Sequence, residues 1–131
     1  MSEEALKIIS DAMSEMGLNY QFMEWNSKPA YPYFTGEYQE TEPMNEDGMQ
    51  ETTFILTGHS RGASGARLVL EEAKKKIKEY FPMVEGKTVI TDSGSAVAIF
   101  YANSSPVPSV VGDLKKIQIN LAIKEWSVNN G

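Results

Sequence analysis

Thr53-Phe54-Ile55-Leu56-Thr57-Gly58-His59-Ser60-Arg61-Gly62 is the stretch on which the fold turns. Its last five residues spell G-x-S-x-G, the nucleophile elbow of serine hydrolases. A strand-like run precedes them and a helix-like run begins at Ala66. Read as an elbow, the stretch belongs to a large α/β sheet. Read as a glycine-rich connection, it belongs to a small α+β domain. Residue inventory separates the two. The serine mechanism needs a separate histidine as base. The chain has one histidine, His59, inside the motif and next to the serine. The expectation is therefore a glycine-rich turn from Gly58 to Gly65 that joins a strand to a helix, with no catalytic residues. A dyad of Ser60 with a carboxylate or lysine stays open. Phosphate binding at the helix start fits poorly, because the next lysine is Lys74, well inside the helix.

On the N-terminal side, Ala5, Leu6, Ile8, Ile9, Ala12, Met13 and Met16 recur at spacings of three and four, which predicts a helix over Glu3 to Met16. Ser2 suits its cap, Glu3 and Glu4 its positive end, and Gly17 its stop. Asn19 to Trp25 reads as a strand with Tyr20 and Phe22 on one face. The prolines at 29 and 32 force an extended turn. Tyr33 to Gln39 resumes as a strand, with Gly36 a candidate bulge. Glu40 to Gln50 is an acidic connector containing Asp47-Gly48, a hairpin signal. Across it, Tyr33–Gln39 should pair with Glu51–Thr57.

On the C-terminal side, a helix is expected from Ala66 to Phe81. Leu68, Leu70, Ala73, Ile77, Tyr80 and Phe81 form its apolar side, and Pro82 ends it. Thr88–Thr91 is a short strand and Ala96–Ala102 an apolar one. Lys115–Trp126 alternates cleanly, with Ile117, Ile119, Leu121 and Ile123 on one face. Asn103 to Asp113 reads as a long loop, too long for a tight hairpin and carrying more apolar residues than solvation requires.

These elements make one α+β domain of 131 residues, a mainly antiparallel sheet of four to five strands packed against two helices. Hydrophobic residues at 41% and charged residues at 23% are ordinary globular values. The net charge of −6 gives no basic footprint for nucleic acid. The absence of cysteine excludes disulfides and thiolate metal sites. Glu37, Glu40, Glu42, Glu46, Asp47 and Glu51 do not follow the calcium-loop spacing and read as a solvated acidic face, so no metal or cofactor is expected. Trp25, Tyr31, Tyr33, Phe34 and Tyr38 lack a basic surround and read as core and interface aromatics, not a base-stacking platform. The start, Met1-Ser2-Glu3-Glu4, is unlike a signal peptide. No run approaches the roughly 18 apolar residues of a membrane span.

Three stretches carry a further likeness: Tyr31-Pro32-Tyr33-Phe34, Phe54 through Gly62, and the closing strand Ile117-Gln118-Ile119-Asn120-Leu121-Ala122-Ile123-Lys124-Glu125-Trp126. With the order of elements from about Glu3 to Trp126, they resemble the tail terminator or tail-completion proteins of long-tailed bacteriophages, also labelled minor capsid or head–tail joining proteins. The resemblance implies a non-enzymatic protein that forms a six-membered ring at the head-proximal end of the tail tube, stops tube growth and joins tail to head. Its partners would be copies of itself, the tail tube protein and the head–tail connector proteins. DNA would pass through a negative lumen without specific binding, and no membrane is involved. The place would be the tail–head junction of the virion, reached from the host cytoplasm. Contacts would fall on Glu42, Glu46 and Asp47 of the connector, and on Pro106, Val107, Pro108, Val110 and Val111 of the loop Ser104–Asp113. Arg61 and Arg67, which flank the turn, read either as forked donors to a neighbouring subunit or partner or as a local helix cap and surface charge. Two other classes stay open: a small serine hydrolase using Ser60, and a cytosolic adaptor that binds a peptide along a sheet edge.

Overall fold

In the computed structural model, which describes residues 1–24, 30–41, 49–62, 65–108 and 112–126, the elements run α1 (Glu3–Glu15), β1 (Tyr20–Phe22), β2 (Tyr33–Thr41), β3 (Met49–Arg61), α2 (Ala66–Tyr80), β4 (Lys87–Ile90), β5 (Ala96–Val107) and β6 (Leu114–Trp126). The Ser2 hydroxyl accepts the Ala5 N–H at 3.1 Å and so satisfies one of the free donors at the start of α1. Gly17, at φ +76°, takes the left-handed turn that ends the helix region. The buried residues of α1 are Ala5, Ile9, Ala12 and Met13, and those of α2 are Ala66, Leu70, Ala73 and Ile77. Leu68 is 61% exposed, contrary to the expected apolar side. Helix positions i and i+2 lie about 200° apart around the axis, so Leu68 and Leu70 cannot share a stripe.

The strands form one curled, six-stranded sheet in the order β1-β2-β3-β6-β5-β4. All neighbours are antiparallel except β1 and β2. The expected class, α+β with a mainly antiparallel sheet on two helices, holds, and the strand count exceeds the expected four to five. Period-two alternation sorts the sheet into two faces. Phe34, Phe54, Leu56, Val97, Ile99, Tyr101, Ile117, Ile119, Leu121 and Ile123 join the buried helix residues other than Ala66 in a single core. The alternate residues form a second face.

Three local expectations are corrected. The supposed turn from Gly58 is strand: β3 continues to Arg61, and Gly58, His59 and Ser60 stay in register with Ile117, Lys116 and Lys115. Glycine stands at 58 because a Cβ there would lie 2.6 Å from Phe34 Cε2 and 3.0 Å from Ile117 Cγ2. Gly36 is likewise no bulge, since Thr35, Gly36 and Glu37 pair without interruption with Thr57, Leu56 and Ile55. A Cβ at Gly36 would meet Phe54 Cζ at 2.5 Å. The bulge lies instead in β5, between Tyr101 and Asn103.

The third correction concerns the long loop. Ser104, Ser105, Pro106 and Val107 are strand residues paired with Ile119, Gln118, Ile117 and Lys116. Only the segment from Pro108 to Asp113 connects β5 to β6. Trp25, Glu42, Glu46, Asp47, Val110 and Val111 lie outside the described residues, as does most of the acidic connector.

Candidate functional site

The face of the sheet that no described helix covers carries several of the residues that the sequence singles out. At one end of it, β2 and β3 place Tyr33 directly beside His59, and β6 places Lys116 on the other side of His59. The Tyr33 and His59 rings stack with centroids 4.6 Å apart and planes 13° from parallel. Tyr31 follows at 5.4 Å from Tyr33, and the Arg61 guanidinium lies 5.6 Å over the Tyr31 ring. Arg61 also bonds Asp113 at 2.8 Å, and the Gly62 N–H donates to the Asp113 carbonyl. Arg67 donates to the Lys116 carbonyl at 2.9 Å, tying the first turn of α2 to the start of β6. Both arginines are thus engaged within the chain. Arg61 keeps 42% of its side chain exposed and can still meet a partner.

Tyr31-Pro32-Tyr33 and Gly58-His59-Ser60-Arg61, distant in sequence, therefore build one aromatic and cationic corner. The Tyr31-Pro32 peptide bond is cis. The partnership of Tyr31 and Tyr33 with His59, and the part of Lys116, escape the sequence reading. The signal for them is the odd-numbered alternation Thr57, His59, Arg61, which the glycine at 58 masks.

Ser60 points the other way. It is 3% exposed, in the helix-facing row with Leu56 and Gly58, whereas His59 is on the open face. Adjacent residues of a strand project to opposite faces. The sheet itself therefore separates the motif serine from the chain's one histidine. The sharp strand-to-helix turn that exposes an elbow serine is also absent at this position, because Ser60 is paired to Lys115 within the ladder.

Beyond the corner the open face is dominated by amides and hydroxyls, joined by Glu37 and Ile55. Thr35, Thr57, Gln118 and Ser105 fall in one row, and Glu37, Ile55, Asn120 and Asn103 in the next. Gln118 Nε2 donates to Asn120 Oδ1 at 3.2 Å, and Asn120 Nδ2 donates to Asn103 Oδ1 at 2.7 Å. These amides hold one another in place, which fixes donors and acceptors across β5 and β6. Further along, Phe100, Ala102 and Ala122 with Met83 and Val84 line an open hollow of about 390 Å³, flanked by Glu51 and Lys124. Among the described residues no group of acidic and histidine side chains is arranged to hold a metal ion, and no helix is long and apolar enough to cross a membrane.

His59 makes the corner sensitive to pH. Burial, then the Lys116 ammonium, pushes its value below the usual 6.5. The unfolded chain therefore takes up the proton before the folded one does. Stability from the neutral imidazole is complete above 6.5 and is lost as pH falls below it, toward and through the folded value. Urea unfolding at neutral pH and at about pH 5 should show a larger loss for the wild type than for His59→Gln, since the carboxylates common to both cancel in the comparison. Equal losses would place His59 in no special environment.

No family model matches the chain, and no curated protein matches it.

Proposed function

We propose that this protein is a structural subunit of a ring that caps the head-proximal end of a phage tail tube, stops its growth and joins tail to head. The observation that carries the reading is the uncovered face of the sheet. Helices cover one side, while the other presents half-buried neutral amides and hydroxyls, an apolar hollow and the Tyr31–Tyr33–His59–Arg61 corner. A face with preset hydrogen-bonding groups and little net charge suits a protein neighbour, which can match it donor to acceptor. The separation of His59 from Ser60 supports a non-enzymatic role for the motif. The acidic balance of −6 suits a ring through which DNA slides without adhering.

The test is the mass of the purified protein by light scattering over a concentration series, joined to its effect on tail tubes. A discrete hexamer, rings in negative stain and termination of tube growth on addition are the expected results. A strict monomer that neither binds isolated tubes nor changes their length would sink the reading. Labelling of Ser60 by a fluorophosphonate would then point to the hydrolase instead.

A further inference from the structure

Among the described residues, two strand edges are left unfinished at opposite corners of the sheet. Among the described residues, the outer side of β2 is covered by β1 only from Phe34 to Gly36. Beyond that, Glu37, Tyr38, Gln39 and Glu40 are all exposed. Among the described residues, the outer side of β5 is covered by β4 only from Ala96 to Ile99, and the Tyr101 N–H is taken by the Phe81 carbonyl at 3.0 Å. Beyond that, Asn103, Ser105 and Pro106 are exposed. The register through β3 and β6 sets Tyr38 and Glu40 level with Tyr101 and Ile99, and Ser104, Ser105 and Pro106 level with Gly36, Thr35 and Phe34. The two free segments are of similar length. Because β2–β3, β3–β6 and β6–β5 are each antiparallel, β2 and β5 run in opposite directions.

We infer that the free edge of β5 in one copy of this chain pairs, antiparallel, with the free edge of β2 in the next copy. The backbone groups match. The Met23 N–H donates to the Gly36 carbonyl and the Phe34 N–H to the Asn19 carbonyl, so Phe34 and Gly36 turn their backbones outward. By the period of two, Tyr38 and Glu40 do the same. A proline is tolerated in a strand where its missing N–H faces the free side. Pro106 therefore turns outward, and so does Ser104 two residues before it. The register that uses both segments and keeps the two open faces continuous pairs Glu37 with Val107, Tyr38 with Pro106, Gln39 with Ser105 and Glu40 with Ser104. Glu40 and Ser104 then exchange N–H···O bonds in both directions, and the Tyr38 N–H donates to the Pro106 carbonyl. The Glu40 carboxylate does not obstruct this, because it is turned to the Met1 amino group.

Charge selects this pairing over the symmetric ones. Pairing β2 with β2 would bring the glutamates of two copies together, and like charges directly opposed across strands are destabilising. Pairing β5 with β5 would oppose two strands that each lack the Pro106 donor. The mixed pair sets an acidic edge against a neutral one. It also brings Glu37 level with Lys116, which is in register with Val107, at two strand spacings or about 10 Å between backbones. Both side chains are long enough to meet over Val107. The contact is head-to-tail, so it repeats and closes into a ring where the rotation permits. The offset between the two free edges tilts the strands relative to the ring axis, as stagger does in a barrel. Closure rests on the ring reading above; the edge pairing does not.

The chain has no cysteine, so disulfide trapping is free of background. Gln39 and Ser105 are exposed and directly opposed in the inferred register, at a spacing that suits a disulfide. Gln39→Cys and Ser105→Cys are prepared singly and together and oxidised with copper–phenanthroline. The expected result is a linked dimer when the single variants are mixed, and none from either alone. The double variant should give a ladder on denaturing gels that stops at the ring size. Absence of linkage on mixing at the highest soluble concentration overturns the inference. Linkage within either single variant also overturns it, because it reports a symmetric pairing. Light scattering on the same samples keeps the two proposals apart. A discrete ring mass without the mixed cross-link sinks the edge pairing and leaves the ring. The mixed cross-link with no effect on tail tubes leaves the edge pairing and sinks the tail role.

Discussion

Phe54→Ala lowers the unfolding free energy by about 3–5 kcal/mol, a large part of the ~5–15 kcal/mol that holds a domain of this size. Phe54 is fully buried near the middle of β3, between β2 and β6. Its ring occupies the space over Gly36 and stacks 6.4 Å from Phe22, which itself stacks 6.0 Å from Tyr38. Truncation removes a ring that reaches from the central strands to the β1 edge, and the backbones around it are fixed by ladders on both sides. The gap cannot close. The partner substitution reads the same space from the other side. Gly36→Ala would place a Cβ 2.5 Å from Phe54 Cζ and 2.7 Å from the Tyr20 hydroxyl oxygen, an overpacking expected to cost about 1–3 kcal/mol. In the Phe54→Ala background that cost should shrink, because the ring it strikes is gone. Urea unfolding of the four proteins gives the coupling, and strictly additive effects would show that Gly36 and Phe54 do not share that space.

Helices and alternating strands are legible in this sequence because each carries its own period. The stripe of Ala5, Ile9, Ala12 and Met13, and the alternation from Ile117 to Ile123, need no partner to be recognised. What the sequence conceals is set by contacts between segments far apart. Gly58 looks like the start of a turn, yet its missing side chain makes room for Phe34, twenty-four residues earlier. Pro106 looks like a loop residue, yet it is paired with Ile117 in a strand on whose outer side no described strand lies at this position, where a missing N–H costs nothing. In both places local chemistry permits two structures and a neighbouring strand chooses between them. The corner of Tyr31, Tyr33, His59 and Arg61 is concealed for the same reason, since its members meet only once β2 has paired with β3.

The two faces of β3 divide the labour of the chain. Its even-numbered residues, Phe54, Leu56, Gly58 and Ser60, are buried against the layer of helices, and its odd-numbered residues contribute to the uncovered face. A subunit that must hold its shape while presenting a broad polar surface gains from this arrangement. Substitutions on the open face can alter assembly without disturbing the core, and core substitutions leave the surface chemistry in place. That separation makes neighbouring positions of a single strand into opposite experiments.

Ser60→Lys and His59→Lys form the sharpest such pair. In an exposed elbow or loop both would be tolerated. In the strand, Ser60 is 3% exposed on the helix side, and Lys115 lies directly across from it. An ammonium at position 60 would lose its water, find no anion in the opposite position and be repelled by Lys115. An uncompensated buried charge of this kind costs about 3–5 kcal/mol. The variant should unfold at much lower urea concentration or accumulate as insoluble protein. At position 59 the same side chain emerges on the open face, loses the stack with Tyr33 and meets Lys116 in solvent, for about 1 kcal/mol or less. Ser60→Ala sets the baseline, since it removes the hydroxyl without adding charge. Equal tolerance of lysine at both positions would mean that the ladder ends before His59 and that the glycine-rich motif is a turn after all. A loss of several kcal/mol at 60 alone would place the motif serine inside the protein, where its hydroxyl cannot meet a substrate.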